Sequence, residues 1–246
     1  MDRSNLEQLA SRLRAARRIS VLTGAGISAA SGVPTFRDEN GLWRRYRAED
    51  LATPQAFARD PATVWAWYRW RQRLIADAAP NAGHSVLAKL QASRPGWRVL
   101  TQNVDGLHQR AGNDAVVELH GSIWRTRCVS CGRPGDSNAQ CAEDETAPLP
   151  LCRCGSLMRP AVVWFGEALD PQVMKTARAI VEEADAVIVV GTSAVVFPVA
   201  ALPLAARGRN VPIVEINVED TPLSAHVTHV VRASAATALS ALERLL

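Results

Sequence analysis

The residues best equipped for chemistry fall into a few short clusters. Residues 23–32 read TGAGISAASG, and Gly24, Gly26 and Ala29 fit the spacing G-x-G-x-x-G/A. In that pattern a tight turn lets backbone N–H groups approach a pyrophosphate, although a plain strand–helix turn has the same composition. Residues 101–112 read TQNVDGLHQRAG, in which Gln102, Asn103 and Asp105 offer two amides and a carboxylate. Such groups suit ribose hydroxyls and a carboxamide. VVELHGS (116–122) reads as a short strand that delivers His120 against Gly121. An imidazole near its ordinary pKa at such a strand end makes the best general base in the chain. His84, His108, His226 and His229 have no comparable setting. All the cysteines, Cys128, Cys131, Cys141, Cys152 and Cys154, lie in one window. A C-x2-C pair followed by a C-x-C pair supplies four thiolates for tetrahedral Zn2+, with Cys141 as a substitute for one of them. Four cysteines leave no open position, so this zinc is expected to be structural.

A further cluster, WAWYRWRQR (65–73), joins heavy aromatic surface to heavy positive charge. On a helix, Tyr68 and Arg71 share a face. A guanidinium fork and a phenolic hydroxyl together make a clamp for a carboxylate at the end of an otherwise apolar pocket. The plain alternative is an amphipathic helix whose tryptophans pack while its arginines face water.

These residues need a scaffold, and the pattern around them provides one. ISVLTG (19–24), WRVLTQN (97–103), AVIVVGTS (186–193) and VPIVEIN (211–217) read as buried parallel strands, with helical stretches such as 171–184 between them. That alternation predicts a doubly wound, Rossmann-like α/β sheet, with ligands beyond the carboxyl ends of its strands. One feature departs from a dehydrogenase: no second strand ends in Asp or Glu about 20 residues on, and VPTFRDENG follows instead. Residues 38–85, mostly helical, and 121–160, which hold every cysteine and show little periodicity, read as insertions. The N-terminal segment reads as an amphipathic helix with Leu6, Leu9 and Leu13 on one face.

Composition narrows the rest. The 246 residues are 48% hydrophobic and 21% charged, which suits a large packed core. No apolar run is long enough to span a bilayer, and the N-terminus lacks a secretory core, so a cytoplasmic location and no membrane association are expected. A net charge of +4 permits weak attraction to polyanions without establishing it. The basic residues include only two lysines, Lys89 and Lys175.

The stretches GAGISAASGVPTFR, TQNVDGLHQRAG, ELHGS, VVWFGE (162–167), GTS (191–193) and EIN (215–217) resemble, in order, the signature set of the sirtuins. The resemblance covers about residues 19–217. It implies NAD-dependent protein-lysine deacylation in a cleft between a Rossmann-like domain and a smaller zinc-bearing domain. Carried over by position, it implies that Gly24, Ala25, Gly26, Ile27 and Ser28 cradle NAD+, with Phe36, Arg37 and Trp43 beside them. Gln102, Asn103 and Asp105 hold the nicotinamide half. Gly191, Thr192, Ser193 and Asn217 hold the adenosine half, with Ala235, or Ser234 after a one-residue slip, against the adenine. His120 is the base, and Cys128, Cys131, Cys152 and Cys154 ligate one Zn2+.

The resemblance also implies that Val163, Trp164 and Phe165 form an exposed apolar strand that pairs with an acylated substrate peptide. The Tyr68-x-x-Arg71 spacing and PNAGH (80–84) are similar to the sirtuin branch that removes succinyl and malonyl groups. The products would be nicotinamide and 2′-O-acyl-ADP-ribose. Residues 1–37, 86–120 and 161–246 would form the NAD-binding domain, 38–85 a helical insertion with the acyl pocket, and 121–160 the zinc module, in a monomer. Alternatives are a deacetylase indifferent to acidic acyl groups, a mono-ADP-ribosyltransferase, and an idle NAD sensor. A zinc-ribbon nucleic-acid binder is not expected, because it leaves TQNVDGLHQRAG and ELHGS without a purpose.

Overall fold

The computed structural model describes residues 3–34, 46–135 and 144–246. Phe36, Arg37, Trp43 and Cys141 lie outside the described residues.

The apolar runs form strands because both of their faces are covered. In β1 (Ile19–Thr23) every residue is buried, and among the described residues six strands make one parallel sheet: β1, β2 (Trp97–Thr101), β3 (Val116–Glu118), β6 (Ala186–Val190), β7 (Ile213–Asn217) and β8 (His229–Arg232). Their order is β3-β2-β1-β6-β7-β8, the arrangement of a Rossmann-like sheet. One face is covered by α1 (Arg3–Ala15), α5 (Ala82–Ser93) and α8 (Ala235–Glu243), with Leu6, Leu9 and Leu13 buried as their spacing predicts. The other face is covered by α7 (Pro171–Glu182) and a 3-10 stretch, Val199–Arg209. Among the described residues no helix is long and apolar enough to cross a membrane. Lys89 on α5 and Lys175 on α7 both stand exposed, Lys89 paired with Glu243.

A second core lies outside the sheet. It joins α2 (Ala48–Leu51), α3 (Pro54–Arg59) and α4 (Pro61–Asp77) to Leu107 of the short α6 (Leu107–Arg110), to Ile123 and to Val162. Thr53 and Asp60 cap the starts of α3 and α4 through Ala56 N–H and Thr63 N–H, each followed by a proline at the first helical position. This start signal fixes where the aromatic helix begins and therefore which way Tyr68 points.

The cysteine segment is more ordered than its sequence predicts. Its ends, β4 (Gly121–Cys128) and β5 (Met158–Val162), pair antiparallel with an irregularity between Ser122 and Thr126. That break in register interrupts the alternation that would have revealed the pair. The expected strand over 163–165 ends instead at Val162. Beyond it, Val163 N–H still donates to the His120 carbonyl across from it, whereas Phe165 N–H donates to that of Ala52, outside the sheet.

Candidate active site

The sheet reverses its winding between β1 and β6, which places a crevice beyond their carboxyl ends. There the two loops interlock: Gly24 N–H donates to Val190 O at 3.0 Å, and Gly26 N–H to Gly191 O at 2.8 Å. A Cβ on Gly26 would sit 2.7 Å from Gly191 Cα, and one on Gly191, whose φ is +58°, would sit 2.6 Å from Ile27 N. These approaches need glycine. The two loops thus meet backbone to backbone, and both line the crevice.

The amides expected to hold the dinucleotide are locked into the same crevice. Gln102 donates to Thr192 Oγ1 at 2.9 Å, and Asn217 donates to Thr192 O at 2.8 Å. Asn103 donates to Gly24 O and to Ser28 Oγ, and Ser28 donates to Asp105 Oδ2 at 2.7 Å. Ser193 joins the lining, as do Ser234 and Ala235 at the start of α8, where Ser234 also caps the helix through Thr237 N–H. Ile27 does not belong with these residues. Its side chain is 0% exposed and packs under α5, because the glycine pattern specifies a backbone path and leaves this side chain to the core.

Behind Ser28 and Asp105 lies a feature that the sequence reading missed. His84 and His108 are fully buried, with ring centroids 4.9 Å apart. His84 Nδ1 accepts from Asn81 N–H at 3.3 Å, so its Nε2–H faces Ser28 Oγ at 3.4 Å. The Thr23 hydroxyl donates to Thr101, so His108 Nε2 donates to Thr23 Oγ1 at 2.9 Å. Burial pushes both pKa values down from 6.5, to about 4 for His84 and about 3 for His108. An available signal was the N-x-x-H spacing of Asn81 and His84, a helix start in which each residue satisfies the other.

His120 follows β3 and precedes β4, so it links the large sheet to the small one. Its Nδ1–H donates to Gln102 O at 3.1 Å, which leaves the Nε2 lone pair to accept a proton. Burial lowers its pKa below the usual 6.5, and the Gln102 carbonyl opposes that shift. Gly121 beside it has φ +78°, and a Cβ there would meet Ala161 O at 2.1 Å.

A cavity of about 840 Å³ runs from Asn217 and Ser234 past His120 to Tyr68 and Arg71. Tyr68 is 3% exposed, and its hydroxyl accepts from Trp164 Nε1 at 2.8 Å. Burial drives its pKa upward, so it remains a neutral hydroxyl. Arg71 lies half-buried against the Trp67 ring, 5.3 Å from its centroid. Trp164 was expected on an exposed strand, yet it is 3% exposed, whereas Phe165 is 41% exposed. The arginines of α4 do not all face water either. Arg69, 2% exposed, donates to the carbonyls of Ala147 and Pro148. Gln72 donates to Ile123 O, and Trp65 Nε1 to Met158 O. One side of α4 therefore ties down the cysteine segment while Tyr68 and Arg71 line the cleft.

In that segment the Sγ atoms of Cys128, Cys131, Cys152 and Cys154 lie within 4.8 Å of one another. The Cys128–Cys154 and Cys131–Cys152 separations are 3.5 and 3.7 Å. Tetrahedral Zn–S bonds of about 2.3 Å place sulfurs about 3.8 Å apart, so the donor set fits zinc in both chemistry and spacing. Hydrogen bonds from Cys131 N–H to Cys128 and from Ser156 to Cys154 lower both thiol pKa values, which favours the ligating thiolate.

Fold and site together define a two-part protein with a nucleotide-type crevice facing a smaller, cysteine-clustered unit. Residues 24–198 match the Sir2 family, and the chain belongs to it. It is 50% identical over 211 residues to the NAD-dependent protein deacylase of Aquifex aeolicus, covering 84% of this chain and 85% of that one. NAD-dependent protein deacylase 1 of Archaeoglobus fulgidus is 46% identical over 239 residues, 97% and 96% of the two chains. A crystal structure of a Sir2 homologue–NAD complex superposes with a TM-score of 0.90 at 46% identity, covering 99% of this chain and 93% of that one. A Sir2–p53 peptide–NAD+ complex gives 0.84 at 32% identity, with 97% of each chain covered.

Proposed function

We propose that the protein is an NAD-dependent protein-lysine deacylase that accepts acetyl-lysine and also acidic acyl groups such as succinyl and malonyl. The observation that carries this reading is the continuity of one cavity. It joins Gly24, Gly26 and Gly191, His120, and the Tyr68–Arg71 pair. The family and the named relatives support the activity.

Bound NAD+ supplies an electrophilic ribose carbon as nicotinamide departs, and the acyl group leaves as 2′-O-acyl-ADP-ribose. The chain's own residues bind, orient and move protons around that event. The crevice floor holds the pyrophosphate, and Gln102, Asn103 and Asp105 orient the nicotinamide half. His120 Nε2 accepts a proton from a ribose hydroxyl, with its tautomer set by the Gln102 carbonyl. Tyr68 and Arg71 hold the distal carboxylate of an acidic acyl chain. The segment Val163–Phe165 lies along the acylated peptide, with Phe165 as its exposed side chain. The four cysteines hold one zinc, which supplies no step and fixes the small unit. That unit comprises residues 38–85 and 121–160; residues 1–37, 86–120 and 161–246 form the NAD-binding domain.

The test is Arg71→Met, assayed with NAD+ on one peptide carrying succinyl- or acetyl-lysine. Losing a charge-assisted contact costs about 1.5–3 kcal/mol, so the succinyl-to-acetyl ratio of kcat/KM should fall by about 10- to 100-fold. An unchanged ratio would mean a deacetylase whose pocket ignores acyl charge.

A further inference from the structure

Around Tyr68 the structure holds more than a clamp needs. The hydroxyl accepts from Trp164 Nε1 at 2.8 Å, and both residues are buried. Trp164 is in turn held by two neighbours. The guanidinium of Arg159 stacks on its ring, 3.2 Å from the centroid, and the ring of Phe57 lies at 5.2 Å. Arg159, itself buried, donates to both carboxylate oxygens of Glu167 and to Val162 O. Glu167 closes the circuit by accepting the backbone N–H of Trp164 at 2.8 Å. A partly buried ion pair, to which Arg127 adds a second guanidinium at 3.4 Å, therefore braces the indole.

The chemistry of the two ends gives that commitment a meaning. An indole N–H donates and cannot accept. A phenolic O–H lies in the ring plane and has two favoured orientations, one on either side of the C–O bond. When Trp164 Nε1–H occupies one side, the orientation that points the hydroxyl hydrogen at it is repelled. The hydrogen is left on the other side, and the residue lines the cleft together with Arg71. A hydroxyl so constrained donates to whatever sits in the pocket, which suits a carboxylate and not a donor.

We propose that Trp164, braced by Arg159 and Glu167, is a positioning residue for acyl selection: it fixes the Tyr68 hydroxyl as a hydrogen-bond donor toward an acidic acyl chain. The inference rests on the reading of Tyr68 and Arg71 as the carboxylate clamp. Trp164 acts through Tyr68 without itself touching the acyl group.

The experiment compares kcat/KM for succinyl- and acetyl-lysine versions of one peptide in the unaltered chain, Trp164→Phe, Tyr68→Phe and the double variant. Phenylalanine keeps a ring under Arg159 but has no N–H. Trp164→Phe should lower the succinyl-to-acetyl ratio about fivefold, the worth of one oriented hydrogen bond, through the KM of the succinyl peptide. Adding it to Tyr68→Phe should lower the ratio no further, because no hydroxyl remains to be aimed. An unchanged ratio in Trp164→Phe, or losses that multiply in the double variant, overturns the proposal. Should Trp164→Phe fail to fold, Glu167→Gln keeps the indole but loosens its brace, and a ratio it leaves unmoved overturns the proposal equally. A ratio that survives Arg71→Met sinks the clamp, and this inference with it. A ratio that falls in Arg71→Met but not in Trp164→Phe sinks this inference alone.

Discussion

Two features of its surroundings suit His120 to the proposed role of base: a carbonyl that fixes its tautomer and burial that lowers its pKa below 6.5. A base must be neutral to accept a proton, so the lowered pKa extends activity toward acid. A pH profile of kcat/KM should therefore show an acid limb with an apparent pKa below 6.5 and a plateau above it, and a limb above 6.5 would contradict the assignment. The place of this residue at a strand end was legible because an apolar run before it and a glycine after it mark it in sequence. Arg69 was not. Three arginines within nine residues look alike on paper, and only the carbonyls of Ala147 and Pro148, brought in from 78 and 79 positions away, pick out the buried one. Ile27 shows the opposite failure, a residue inside a binding motif whose side chain belongs to the core.

Among the elements, α4 has two tasks. Its Trp65, Arg69 and Gln72 donate to backbone carbonyls of the cysteine segment, and its Tyr68 and Arg71 face the cleft. Removing zinc frees the loops that present those carbonyls, since such small modules fold on their metal. Chelation should therefore raise hydrogen exchange in α4 as well as in residues 121–162, while β1 and β6 stay protected. Equal protection of α4 before and after chelation would show that the helix stands without the module. The parallel strands were readable because burial on both faces leaves unbroken apolar runs. The pair β4 and β5 was not, because its partners lie 30 residues apart and its register slips midway.

At the scale of the whole molecule, the buried histidine pair makes stability depend on pH. Each imidazole is held neutral in the fold, with a pKa near 4 or 3, but titrates near 6.5 once unfolded. Between those values the unfolded chain binds more protons, so stability falls as the pH drops below 6.5 and levels off below about 4 for His84 and about 3 for His108. The slope is about 1.4 kcal/mol per pH unit for each histidine. Denaturant unfolding between pH 6.5 and 5, above most carboxylate titrations, should show stability falling with pH, His120 and His229 adding to the pair, and His108→Gln should reduce the slope by one histidine's share. An unaltered slope would mean that the pair is hydrated in solution.

The two lysines stand on the outer faces of α5 and α7, and neither lines the cleft. Amine-directed chemistry on side chains thus has just two addresses in this chain, both remote from the crevice. A dye, a biotin or a solid support could be attached there by simple ester coupling, and the working groove would be left bare.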